Sequence, residues 1–294
     1  MTTLLITGAR GQLGTDLLAA AAVAGIDATG VGSADLDITD ADAVDARVGA
    51  LARSGSRAVV INAAAYTAVD NAETDRDRAF LVNQTGPGNL AAAAARHGVG
   101  LIHVSTDYVF PGDANRPYGV DDPTGPKSVY GESKLAGELA VLAAHPAAHV
   151  VRTAWVYGAT GGTGNFVKTM AKLEASHPNI TVVNDQQGSP TWSADLAAGL
   201  LALAEADHPG GVLHATGAGE TSWYGFARAI FEELGADPGR ISPISSDSYP
   251  LAAPRPAYSV LSQDAWLAAG LPPLRPWREA LHAAFRAHRD AYSP

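Results

Sequence analysis

Three observations predict an α/β chain: a doubly wound parallel sheet with a smaller C-terminal domain. Short apolar runs alternate with Ala-rich helical patterns through the first half of the sequence. Three spaced glycines, Gly8, Gly11 and Gly14, lie directly between the first such run and the first helical pattern. After Arg152 the texture changes to loops rich in Gly, Thr and Pro, and all five Trp fall from Trp155 onward. Runs apolar on both faces belong to parallel strands covered by helices on each side.

The elements follow in order. Leu4-Leu5-Ile6 reads as the first strand and is followed by a helix from Gln12 to Ala24. A second strand is predicted from Asp27 to Val31, a helix from Ala43 to Ala52, and a buried strand from Ala58 to Asn62. Ala79 to His97 reads as one long helix, and Leu101 to Val104 as the next strand. A helix from Tyr130 and a strand at His149 to Arg152 continue the alternation. Residues 1–155 are therefore expected to form one domain and 156–294 a second, with a stretch near 185–220 returning to the first. Aromatic residues and irregular loops on a scaffold suit a binding half.

Composition narrows the function. The chain has 294 residues, 47% hydrophobic and 17% charged, the profile of a globular protein. Its 20 Lys+Arg against 30 Asp+Glu give a net charge of −10, which disfavours nucleic acid and anionic membranes as partners. With no Cys there is no disulfide, thiolate nucleophile or Cys-type zinc site. The nine His contain no His-Glu-x-x-His pair, so no metal site is expected. The first strand begins almost at Met1 with no basic leader ahead of it, and the longest apolar stretch, Leu17 to Ile26, is too short to cross a bilayer. A cytoplasmic protein is expected.

Gly8, Gly11 and Gly14 are spaced G-x-x-G-x-x-G. The first permits a tight turn, the second lets a pyrophosphate approach the backbone, and the third lets helix pack on strand. This is a Rossmann-type dinucleotide loop. An acid at the end of the second strand would favour a free ribose 2′-OH, but Ala28 to Ser33 holds no carboxylate. Arg10, within the loop, can meet a 2′-phosphate. NADPH is therefore expected, with NADH possible.

A Tyr130-x-x-x-Lys134 pair opens a helix, and Ser105-Thr106-Asp107 ends the strand before it. Tyr and Lys four apart share a helix face. C-terminal strand ends carry the ligand in a doubly wound sheet. A phenol with an ordinary pKa of ~10 is a reluctant proton donor, and a nearby ammonium together with the nicotinamide charge brings it down. Thr106 is expected to hydrogen-bond the carbonyl oxygen, with Ser105 as its rival.

These residues resemble the extended short-chain dehydrogenase/reductases, and the resemblance covers nearly the whole chain. It rests on Thr7 to Gly14, Asn62 to Asp70, Ser105 to Phe110, Arg152 to Gly158, Asp185 to Thr191 and Arg255 to Ser259. What it implies is reduction by NADPH of a dTDP-linked 4-keto-6-deoxyhexose. It places Gly11, Gln12 and Leu13 under the pyrophosphate and Asp37 and Ile38 near the adenine. Ala65, Tyr66 and Thr67 would line the cofactor groove, with Val104 beside it. It makes Thr106, Tyr130 and Lys134 the catalytic trio, with Asn83 in support. Thr106, Asp107 and Trp155 would contact the sugar nucleotide. From its own setting between two prolines, Arg255 is expected to be held rigid toward a diphosphate. Relatives differ at Tyr66 and Val104, and either position bears on cofactor preference.

The sequence is compatible with other readings. A dihydrostreptose-type reductase shares the chemistry and differs in the sugar. A 4,6-dehydratase needs a second carboxylate after Asp107, where Tyr108 stands, and a 4-epimerase would retain its cofactor through both half-reactions. A non-enzymatic cofactor-binding subunit would be expected to have lost Tyr130 or Lys134. Monomer and homodimer are equally compatible with the sequence.

Overall fold

The computed structural model describes residues 2–54, 57–162 and 164–292. The N-terminal half runs β1 (Thr2–Thr7), α1 (Gln12–Ala24), β2 (Asp27–Val31), α2 (Ala41–Ala52), β3 (Arg57–Asn62), α3 (Val69–Ala72) and α4 (Arg76–Phe80). A π-helical turn (Leu81–Thr85) leads into α5 (Gly86–His97), then β4 (Gly100–Thr106), α6 (Val129–Ala144) and β5 (His149–Thr153). The remainder holds β6 (Val156–Tyr157), α7 (Phe166–Ser176), β7 (Ile180–Val183), β8 (Gln187–Gly188), β9 (Thr191–Trp192), α8 (Ser193–Glu205) and β10 (Gly211–His214). It closes with β11 (Thr221–Ser222), α9 (Trp223–Leu234), β12 (Ile241–Ile244), α10 (Asp264–Ala268) and α11 (Trp277–Tyr292).

Six parallel strands form the central sheet in the order β10-β5-β4-β3-β1-β2. Side chains alternate across it, as a strand's period of two requires. Leu4, Ile6, Val59, Ile61, Ile102 and Val151 face the core under α1 and α8. Leu5, Val60, Leu101 and Val150 face the core under α2, α5 and α6. The chain leaves β1 for β2 on one side and returns to β3 on the other, so the order reverses between β1 and β3. Ligands of such sheets bind at that crevice, outside the carboxyl ends of the strands.

The helix expected over Ala79 to His97 begins earlier, at Arg76, and is interrupted by the π turn. Pro87 supplies the reason: it has no N–H for the carbonyl four residues back, that of Asn83, and its ring crowds it. The widened turn relieves both problems. Gly137 of α6 receives the displaced Asn83 carbonyl, for a Cβ there would stand 2.0 Å from that oxygen.

Two stretches of the C-terminal half pack with the N-terminal half. β10 completes the sheet beside β5, and Leu196 and Leu200 of α8 lie against Leu17. Trp266, Leu271 and Leu274 enter the same core. The rest builds its own core, with Val167, Phe226, Ile230, Phe231, Leu281 and Phe285 at its centre.

Candidate active site

The glycine loop forms the floor of the crevice. Gly8 has φ +69°, and a Cβ there would lie 2.6 Å from the Ala63 carbonyl carbon, so only glycine lets β1 turn past the loop after β3. At Gly14 a Cβ would stand 2.3 Å from the Gly8 oxygen, which brings helix against strand. Gly11 meets only that oxygen, at 3.2 Å, and is otherwise open. It caps α1 without any side-chain hydrogen bond, so the first-turn N–H groups are available to an anion. A dinucleotide pyrophosphate fits this cradle.

The loop's side chains are placed less simply. The Gln12 Oε1 accepts from the Gly158 N–H and from Asn165 Nδ2, both at 2.7 Å, so this side chain ties α1 to the loop after β6. Leu13 packs against the core under α1. Arg10 is paired with an acid: its Nη2 is 3.2 Å from Asp35 Oδ2, which also accepts from the Gly32 N–H at 2.9 Å. Its guanidinium nevertheless lies over Gly32, just past β2, since a Cβ on Gly32 would come within 2.9 Å of Arg10 Nε. Asp37 accepts from the backbone and hydroxyl of Thr39. Ile38 is a core residue packed on Gly86, so its side chain offers little free surface.

Asn83, in the π turn, organises the neighbouring wall. Its Oδ1 accepts from the Tyr66 N–H at 2.8 Å, and its Nδ2 donates to the Tyr66 carbonyl and to Ser133 Oγ. Ser133 Oγ donates in turn to the Tyr130 carbonyl at 2.8 Å. The segment Ala65-Tyr66-Thr67 is thereby locked to the helix bearing Tyr130 and Lys134. Ser133 was not singled out from sequence, although it stands inside the Tyr-Lys motif.

The structure brings Thr106, Tyr130 and Lys134 to the carboxyl end of β4. Ser128 caps α6 by accepting from the Gly131 N–H, which fixes where Tyr130 starts its turn. Burial raises the Tyr130 phenol to about 12, and the Thr106 hydroxyl acts against that rise. Lys134 is 2% exposed, and its Nζ donates to the Val104 carbonyl at 2.7 Å. Burial lowers this ammonium to about 8, with the Glu138 charge opposing. Lys134 is thus anchored on the strand, and burial is the largest influence on the phenol.

Thr106 Oγ1 donates to Asp107 Oδ1 at 2.9 Å. Asp107 is buried, which raises its carboxyl to about 6. Ser105 is committed elsewhere: its hydroxyl donates to Glu138 Oε1, and Glu138 is paired with Arg152 in a buried ion pair at 2.7 Å. This removes Ser105 as a rival to Thr106. Tyr108 lies edge-on to Tyr130, with ring centroids 5.4 Å apart.

Two expected substrate contacts are already engaged. The Trp155 indole stacks on Trp223 at 3.5 Å and 7°, and Gly188 lies against its Nε1 side, where a Cβ would be 2.3 Å from Cε2. Trp155 has φ +48°, the one non-glycine residue in that region among those described, a strained conformation fixed by this packing. One face of the indole is thus taken by Trp223. Arg255 Nη2 donates to Asp70 Oδ2 at 2.6 Å. No three His, Asp or Glu side chains are gathered as metal ligands among the described residues.

The family described as RmlD substrate binding domain matches residues 1–289. The chain belongs to this family. A dTDP-4-dehydrorhamnose reductase from Mycobacterium tuberculosis is 55% identical over 99% of this chain and 94% of its own length. One from Streptomyces griseus is 49% identical over 96% of this chain and 93% of its own. Among solved structures, a dTDP-4-dehydrorhamnose reductase from Bacillus anthracis in complex with NADP is 36% identical, with a TM-score of 0.91 over 98% of this chain and 100% of that one. The UDP-glucose 4-epimerase of Thermus thermophilus, at 21% identity and a TM-score of 0.79 over 98% of this chain and 99% of that one, shares the fold alone. This RmlD-family chain is therefore an oxidoreductase on a Rossmann-type fold.

Proposed function

We propose that this protein reduces the C4 carbonyl of dTDP-4-dehydro-L-rhamnose with NADPH, giving dTDP-L-rhamnose. The observation that carries the reading is the meeting of Thr106, Tyr130 and Lys134 at the end of β4, on the same sheet edge as an uncapped glycine loop. The relatives named dTDP-4-dehydrorhamnose reductase support the substrate. Arg10 above Gly32 supports a 2′-phosphate, although Asp35 pairs with it there and accepts from the Gly32 N–H just past β2.

When bound, NADPH supplies the hydride. The glycine loop and the first turn of α1 seat the pyrophosphate, and Lys134 holds the nicotinamide ribose. Thr106 and Tyr130 hold the C4 oxygen; Thr106 donates to it as negative charge develops, and Tyr130 gives up its phenolic proton there. A phenol near 12 is protonated at neutral pH, as reduction requires. Tyr108 occupies the position where a dehydratase would need its second carboxylate. A cytoplasmic location accompanies the reading. No described helix is long and apolar enough to cross a membrane.

The test is incubation of the protein with dTDP-4-dehydro-L-rhamnose and NADPH, following absorbance loss and the product by NMR. Stoichiometric dTDP-L-rhamnose is expected. Cofactor oxidation without that sugar, or no turnover, would contradict the assignment.

A further inference from the structure

The segment from Ala253 to Ser259 crosses the molecule as a strap. The Tyr258 N–H donates to the Gly112 carbonyl, the Gln187 N–H to Ala257, and the Ser259 N–H to Gln187, all within 2.8–2.9 Å. Pro256 seats on Gly112, where a Cβ would stand 2.4 Å from the proline Cβ. One end of the strap is thereby stitched to the loop after β4 and to β8. The other end reaches α3, which follows the Ala65-Tyr66-Thr67 segment of the cofactor domain.

Asp70 of α3 makes that second attachment. Its Oδ1 accepts from the Ala253 N–H at 3.0 Å, and its Oδ2 from Arg255 Nη2 at 2.6 Å. Arg255 Nη1 donates back to the Ala253 carbonyl at 2.9 Å, closing a small ring of bonds around the carboxylate. The guanidinium is therefore held by its Nη1–Nη2 edge, and its Nε has no protein partner among the described residues. The arginine side chain is 16% exposed and the aspartate 38%. The charges of both reach the Tyr108 phenol, whose ring borders Tyr130.

A planar guanidinium fixed along one edge presents the other in a set direction, and that geometry suits a phosphate oxygen pair. We infer that Asp70 is a positioning residue for substrate recognition: it orients Arg255 so that the free edge meets the diphosphate of the nucleotide sugar, and pins the strap beside Tyr108. This rests on the nucleotide-sugar reading above. The cofactor's own phosphates are served by the glycine loop, so Asp70 acts on one ligand and leaves the other alone.

Asp70→Asn tests it, because the amide oxygen still accepts from Ala253 while the charge that aligns Arg255 is gone. The KM for dTDP-4-dehydro-L-rhamnose and the calorimetric Kd for dTDP should both rise about tenfold, the range of one charge-assisted hydrogen bond. The fluorescence-measured NADPH Kd and kcat should stay near parental values. Arg255→Lys, which keeps the charge and loses the fork, should weaken dTDP in the same direction. Unchanged dTDP affinity in Asp70→Asn, or a parallel loss of NADPH affinity, would overturn the inference. A parent protein that binds no dTDP at all would remove the nucleotide-sugar reading, and the inference with it.

Discussion

Lys134 and Tyr130 share one helix face, yet burial drives each toward its neutral form: the ammonium falls to about 8 and the phenol rises to about 12. The sign of the pH dependence follows. As pH rises through about 8, Lys134 loses the proton that lets it hold the ribose as a cation, while Tyr130 remains protonated. The kcat/KM for NADPH, which reports on the free enzyme, should be level between about 6, where Asp107 titrates, and about 8, and fall above that. Lys134→Arg, charged at every accessible pH, should move the fall upward. A profile level to pH 10, or one that Lys134→Arg leaves in place, would contradict this origin. At this scale the sequence showed residue identities well and partners poorly. Tyr130, Lys134 and Thr106 could be singled out from their motif, the strand end before it and the family resemblance together. The pairings of Arg10 with Asp35, Arg255 with Asp70 and Trp155 with Trp223 could not, because each partner is brought close only by the tertiary fold.

Among the elements, the break in the helix from Arg76 to His97 carries the most consequence. Pro87 was visible in the sequence, but a proline near a helix start and one inside a helix look alike until the flanking turns are placed. The π turn it enforces points Asn83 at Tyr66 and Ser133 and turns the Asn83 carbonyl onto Gly137. Gly137→Ala should therefore act on stability and catalysis together. The added methyl must displace a carbonyl that is anchored on both sides, an overpacking cost of about 1–3 kcal/mol. Thermal melting should drop by several degrees, and kcat should fall as α6 shifts under Tyr130. A Gly137→Ala protein that melts with the parent would show that α5 and α6 are not so tightly keyed. The two-residue strands β6, β8, β9 and β11 were beyond sequence reading, being too short to show any period.

Over the whole molecule, the alternation of apolar runs was enough to predict the doubly wound sheet, since the inner strands β1, β3, β4 and β5 are buried on both faces, while the edge strand β2 is half exposed. The return of Trp266, Leu271 and Leu274 to the first core was not legible, because a Pro-rich segment carries little periodicity. The two halves interleave, and the cleft between them gathers the glycine loop, the end of β4, α6 and the strap from Ala253 to Ser259. Carbonyl reduction in this cleft, as proposed, takes Tyr130 as proton donor. The most direct measurement is kcat for Tyr130→Phe on dTDP-4-dehydro-L-rhamnose, alongside its NADPH Kd. Losing a general acid costs about 10²–10⁴-fold, so kcat should fall by that much while NADPH binds as before. A Tyr130→Phe enzyme that keeps most of its turnover would contradict the account.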